Sequence, residues 1–144
     1  MKLDSCELCR GGGGRLVIAT DSLRVVLVDE PDYPGYVRVI WDDHVCELTD
    51  LSPPQREKIM AAVYAVEGAV RATMAPQKVN VASLGNMTPH LHWHVIARHA
   101  DDPHYPGSVW SLPQREHDAK ATAERRSWIP ALELAIAAAF VEID

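Results

Sequence analysis

A chain of 144 residues, 47% hydrophobic and 24% charged, has the composition of one globular domain, residues 1–144, with a substantial core. Its formal net charge of −6 argues against polymeric nucleic acid or an anionic membrane surface as a partner, and leaves room for a small nucleotide in a local site. The opening Met1-Lys2-Leu3-Asp4-Ser5-Cys6 lacks the apolar run of an export signal. No stretch reaches the ~18 consecutive apolar residues of a membrane span, and three Cys without an export signal suggest a reducing cytoplasm and no disulfide framework.

In chain order, Cys6-Glu7-Leu8-Cys9 comes first, and Gly11-Gly12-Gly13-Gly14 reads as a short flexible joint after it. No Gly-Lys-Ser/Thr follows the glycines and a strand comes next, so they do not form a phosphate-binding loop. Leu16 to Ala19 and Leu23 to Val28 read as strands around a turn at Thr20-Asp21-Ser22. A loop from Asp29 to Gly35, with Pro34-Gly35 as its turn signal, leads into a strand from Tyr36 to Trp41. Ser52 caps a helix with Pro53 in its first turn. Ile59, Ala62, Val63, Val66 and Val70 keep helical spacing as far as about Met74. Val79 to Ser83 reads as a strand, Leu84 to Pro89 as a turn, Asp101 to Gln114 as a loop, and a last helix begins near Pro130. The order predicts an α+β fold: a mostly antiparallel sheet of about five strands, one long central helix and a C-terminal helix.

The densest chemistry is in Pro89-His90-Leu91-His92-Trp93-His94-Val95-Ile96. A strand sends alternate side chains to opposite faces, so three imidazoles roughly 6.5–7 Å apart share one face while Leu91, Trp93 and Val95 are buried on the other. With 7 His in the chain, chance placement gives about 0.02 such triplets. Imidazole is at once a base near neutral pH, a nucleophile and a metal ligand. The Cys6/Cys9 pair can clamp a metal or form a redox couple. Tetrahedral zinc needs two further ligands, for which His44 and His90 are the candidates. Cys46 reads as a buried small hydrophobe. His99, His104 and His117 read as ordinary surface or loop histidines, and Asp101-Asp102 as a turn.

The run His90 to Ile96 resembles the signature of the histidine triad (HIT) superfamily, in which three His alternate with apolar residues. The similarity extends from Cys6 to about Trp110. Val28-Asp29-Glu30-Pro31 and Pro34 to Val39 resemble the family's nucleoside-binding strand, loop and strand. His44 to Leu51 resembles its approach to the long helix. The resemblance implies hydrolysis or transfer of a small-molecule nucleotide at its α-phosphate through a covalent nucleotidyl-histidine. It places the nucleophile at His92 and a phosphoryl hydrogen-bond donor at His94. It puts ribose binding at Asp29 and phosphate contacts at Asn80 and Asn86, in the position of the family's polar phosphate loop. Arg98 reads either as a cation for a polyphosphate leaving group or as a solvated surface residue. The resemblance further implies a structural zinc on Cys6, Cys9, His44 and His90, no organic cofactor, and a homodimer. Two positions depart from the pattern: Tyr36 where members often have His, and Ala97-Arg98 where many have Pro-Arg. Two other readings stay open: a metalloenzyme with the triad itself as ligands, and a nucleotide-binding protein without turnover.

Overall fold

Five runs rich in Val, Ile and Leu become strands because branched side chains suit a pleated, half-buried surface. They are β1 (Arg15–Ala19), β2 (Leu23–Leu27), β3 (Val37–Trp41), β4 (Lys78–Ala82) and β5 (His92–Arg98). In the computed structural model, which describes residues 1–141 and Ile143, they form one sheet in the order β1-β2-β3-β5-β4. Every neighbouring pair is antiparallel. The fold is α+β, as the order of elements in the sequence predicts.

The short helix α1 (Glu7–Arg10) precedes the sheet, and the long helix α2 (Pro53–Met74) lies between β3 and β4. The Ser52 hydroxyl accepts from the Gln55 N–H, and the Gln55 side chain accepts from the Ser52 N–H, which satisfies two donors that the first turn leaves free. α2 buries Ile59, Ala62, Val63, Val66, Val70 and Met74 on one side. Together with Leu132, Ile136 and Phe140 of α4 (Ile129–Phe140), these residues cover one face of the sheet in a single core. Among the described residues, no helix is long and apolar enough to cross a membrane.

The second face of the sheet is covered only in part, and this positions the site. At one end Leu8 and Cys6 pack on Val26 and Ile40. At the other, Tyr33, Tyr36 and Val109 pack on Ile96. Between these two small clusters the inner ends of β3 and β5 remain open.

The glycine run differs from the flexible joint expected of it. Gly13 has φ +81°, and a Cβ there would sit 2.8 Å from both Ile40 Cδ1 and Leu8 Cδ2. The glycines allow the N-terminal segment to approach the sheet closely. Arg24 fastens it there, donating to the carbonyl oxygens of Leu8, Gly11 and Gly12 while pairing with Asp42. Helix α3 (Ala119–Arg126), capped by Asp118, is an element the sequence reading did not place. Its residues carry little apolar periodicity, so no hydrophobic pattern announces it.

Candidate functional site

The histidine run splits in the structure. The strand begins at His92, so His90 stands just before it. His90 turns toward the N-terminal segment, where its ring lies 5.2 Å from that of His44. His92 and His94 stay on the open face of the sheet, with ring centroids 4.9 Å apart.

Cys6, Cys9, His44 and His90 come together, each offering a ligand atom within 4.8 Å of all the others. The His90 Nε2–H donates to the Trp41 carbonyl at 2.6 Å. Its Nδ1 is thereby left without a proton, 3.4 Å from Cys6 Sγ and 3.5 Å from Cys9 Sγ. His44 Nδ1 lies 3.5 Å from Cys9 Sγ. Zinc bonds of ~2.0–2.3 Å in a tetrahedron put its ligands about 3.5 Å apart, so two thiolates and two imidazoles at these separations fit that ion. Burial holds His90 below the usual imidazole range, which keeps it in the neutral form a ligand requires.

His92 is set in the opposite tautomer. Its Nδ1–H donates to the His90 carbonyl at 2.5 Å, and Nε2 has no hydrogen-bond partner among the described residues. Burial lowers its pKa, so at neutral pH the ring is uncharged with a free lone pair on Nε2. His94 Nδ1 lies 2.6 Å from the Tyr36 hydroxyl. Burial first, then neighbouring His92 and Arg38, lower His94 to about 4. A phenol whose own pKa burial raises is the donor to a neutral imidazole. Tyr36 therefore gives its O–H to Nδ1 and leaves His94 with an Nε2–H to offer. A cavity of about 350 Å³ opens over the pair, walled by Arg38, Asn86, Thr88 and Trp110. The Trp110 indole meets the His94 ring edge-on at 5.1 Å.

Of the other expected site residues, Asn86 lines this cavity and the rest lie elsewhere. Asp29 lines a different cavity, with Arg15, Gly35, Arg126 and Ile129, that shares no residue with the one over His92. Arg98 was expected at a leaving group or in solvent, and it is neither. It is 2% exposed and forms a bidentate pair with Asp102 at 2.8 and 3.0 Å, while Nη1 donates to the Asn80 side-chain oxygen. Arg98 is therefore not a solvated surface residue, and it takes up the side-chain oxygen of the half-buried Asn80 beneath the loop after β5. Asp102 also accepts the backbone N–H groups of His99, His104 and Tyr105. Burial alone would raise its pKa, but Arg98 and these donors hold it at about 2. His99 is likewise buried, its Nε2–H given to the Met74 carbonyl. Cys46 is exposed where burial was expected, because residues 42–47 run over the surface. His117 is exposed, as read, and contacts Asp32 and Thr122.

The sequence reading missed Arg38 and Trp110. Arg38 had a signal: it alternates with Tyr36 and Ile40 on a strand, and pairing that strand with the histidine strand puts it opposite His94. Trp110 had none, since it reaches the cavity from an irregular loop.

The chain matches the HIT domain family over residues 13–101, more than half its length. Among solved structures it is similar to a histidine triad protein from Bradyrhizobium japonicum (28% identity, 87% of this chain and 92% of that one, TM-score 0.72). It is also similar to one from Marinobacter aquaeolei VT8 (25% identity, 94% and 99% covered, TM-score 0.70). A Zn-bound histidine triad family protein from Mycobacterium smegmatis shares the fold (23% identity, 91% and 97% covered, TM-score 0.57). No curated protein matches.

Proposed function

The chain belongs to the histidine triad family, and from that premise we propose that it binds a small-molecule nucleotide and cleaves it at the α-phosphate through a covalent bond to His92. One observation carries this reading. The His90 carbonyl holds the His92 Nδ1–H, which leaves a neutral Nε2 facing a cavity of nucleotide-phosphate size. In the first step Nε2 attacks the α-phosphorus. The P–N bond forms as the bond from phosphorus to the leaving oxygen or nitrogen breaks, and the leaving group departs with that electron pair and takes a proton from water. In the second step water attacks phosphorus, the P–N bond breaks back to Nε2, and the water proton passes to solvent. His94, its Nδ1 engaged by Tyr36, offers Nε2–H to the phosphoryl oxygens as their charge grows. Asn86 contributes a polar contact from the cavity wall.

The reading needs no organic cofactor. It includes one structural zinc on Cys6 Sγ, Cys9 Sγ, His44 Nδ1 and His90 Nδ1, supported by their mutual distances and by the Zn-bound relative of the same fold. Cys6, Cys9, His44 and His90 would hold the ion away from the nucleotide, and through it the N-terminal segment would be tied to the start of β5. The three histidines do not gather into one ligand set, since His90 Nδ1 lies beside Cys6 and Cys9. We further propose a single-domain cytoplasmic homodimer. β4 is an unpaired edge strand, and Val81 upon it and Tyr64 on α2 are exposed at 41% and 67%.

The test is intact-protein and peptide mass spectrometry after mixing with a diadenosine polyphosphate or an adenosine phosphoramidate. A nucleotidyl adduct on the His92 peptide is expected. Turnover with no adduct on any histidine, or turnover at the wild-type rate in His92→Asn, overturns the assignment.

A further inference from the structure

Arg38 borders this cavity and takes no part in the triad chemistry above. It stands on β3 directly opposite His94 and beside Val26 on β2, so its side chain rises from the same face as His92 and His94. It borders two adjoining cavities, the one over the triad and a second of about 220 Å³ that runs toward Glu30 and Tyr33. Its guanidinium is half-buried and has no carboxylate partner within ion-pair distance among the described residues. The other half-buried or buried arginines of the sheet, Arg24 and Arg98, each have an aspartate. Asp32, which lines the second cavity, is already held by His117 at 2.6 Å. Among the described residues, Arg38 Nη1 donates to the Gly13 carbonyl at 3.0 Å, the guanidinium lies near the Tyr36 hydroxyl, and Nε is buried without a partner.

A partly desolvated cation without a counter-charge is unfavourable, and the groups around it, the Tyr36 hydroxyl and the His92 and His94 rings, carry no negative charge at neutral pH. Its charge also contributes to keeping His94 uncharged. The Gly13 carbonyl fixes the fork in place without neutralising it. An orphaned, oriented guanidinium at the edge of a cavity is the arrangement that a phosphate oxygen completes.

We propose that Arg38 is the anion-binding residue of this cavity. It holds the charge of a phosphoryl group seated at His92 and His94, and it makes the site select phosphorylated ligands over uncharged ones of the same shape. The inference takes its ligand from the nucleotide reading above and does not depend on the covalent step.

The experiment is calorimetric titration of wild type, Arg38→Met and Arg38→Lys with AMP, adenosine and inorganic phosphate, together with thermal melting of each protein alone. Losing one charged, bidentate contact should weaken AMP about tenfold or more in Arg38→Met. Adenosine should bind the variant and the wild type alike. Arg38→Lys keeps the charge without the fork, should fall between the two, and carries the test if the Met variant does not fold. The melting temperature of ligand-free Arg38→Met should not drop. AMP affinity unchanged in the variants overturns the proposal. So does an equal loss for AMP and adenosine, which would mark a structural role, or a wild type that binds neither AMP nor phosphate. Arg38-dependent AMP binding without a His92 adduct sinks the covalent reading alone. An adduct formed with Arg38-independent affinity sinks this inference alone.

Discussion

His90 and His92 are two residues apart, 1% and 7% exposed, and each gives one ring N–H to a backbone carbonyl. They nevertheless belong to two regions of different chemistry. The Trp41 carbonyl takes the Nε2–H of His90 and frees Nδ1 among two cysteines and His44. The His90 carbonyl takes the Nδ1–H of His92 and frees Nε2 at a cavity. A carbonyl can only accept, so its position decides which nitrogen carries the proton. The same side chain thus offers a ligand atom to the cysteine cluster in one region and, in the proposed reaction, a nucleophile in the other. The braces differ as well. Arg24, 12% exposed, holds the N-terminal segment, and Arg98, 2% exposed, holds the loop that carries Trp110.

The largest effect should separate the two imidazoles. His92→Asn should lower turnover by at least about a thousandfold and leave the melting temperature near wild type. His90→Asn should do the reverse, releasing metal and lowering the melting temperature with a smaller loss of rate. Steady-state kinetics and calorimetric melting on both variants check this, and a shared pattern would erase the distinction between the regions.

The braces come next. Asp102→Asn leaves the Arg98 guanidinium buried and uncompensated, at a loss of about 3–5 kcal/mol. Urea denaturation reads the loss. Because the Asp102 carboxyl sits at about 2 in the fold, below its ordinary ~3.9, its contribution is complete above pH ~3.9 and disappears as pH falls from there toward 2. The variant should therefore lose the part of the wild-type acid sensitivity that lies in that window.

At the other region, Cys9→Ser or treatment with a strong chelator should lower stability by ~2 kcal/mol, about 5–10 °C in melting temperature. The loss is moderate because the Arg24 hydrogen bonds to Leu8, Gly11 and Gly12 remain. Elemental analysis of protein purified without chelator should find one zinc per chain, and well under one counts against the site.

The smallest effect sharpens the cavity alone. Tyr36→Phe removes the donor to His94 Nδ1 and should reduce kcat by roughly 5–20-fold with little change in KM. His94 titrates at about 4 in the fold against ~6.5 when free. Its stabilising contribution is present above pH ~6.5 and fades as pH falls toward 4. Wild-type turnover should persist at pH 5.5, where about nine-tenths of free imidazole is charged. A rate that halves near pH 6.5 would show that the pair is not shielded as described, because a charged His92 cannot attack phosphorus.

Local rules made much of the fold legible. Ser52, Pro53 and Gln55 announce the start of α2, because a cap acts within one turn. Alternation announces β2, β3 and β5, because strand burial has a period of two. The metal cluster was legible from residue types alone, since few side chains bind zinc. Arg98 misled because its partner, Asp102, lies in a turn whose burial depends on packing against Tyr33 and Tyr105. The glycine run misled because composition reports freedom in the unfolded chain, whereas Gly13 is used for close approach.

By itself, the sequence determined the order of the strands, the long helix and the last helix, the helix cap, the donor set Cys6, Cys9, His44 and His90, and the presence of His92 and His94 on one strand. These follow from backbone period and side-chain chemistry, which act over a few residues. The tertiary structure decided which nitrogen of each histidine is free, that Arg38 rather than Arg98 faces the cavity, that Trp110 walls it, and that Asp29 does not. Each of these depends on strand register or loop packing between residues distant in the chain. A shift of one position in the β3–β5 pairing would turn Arg38 to the other face, and that pairing joins residues distant in the chain.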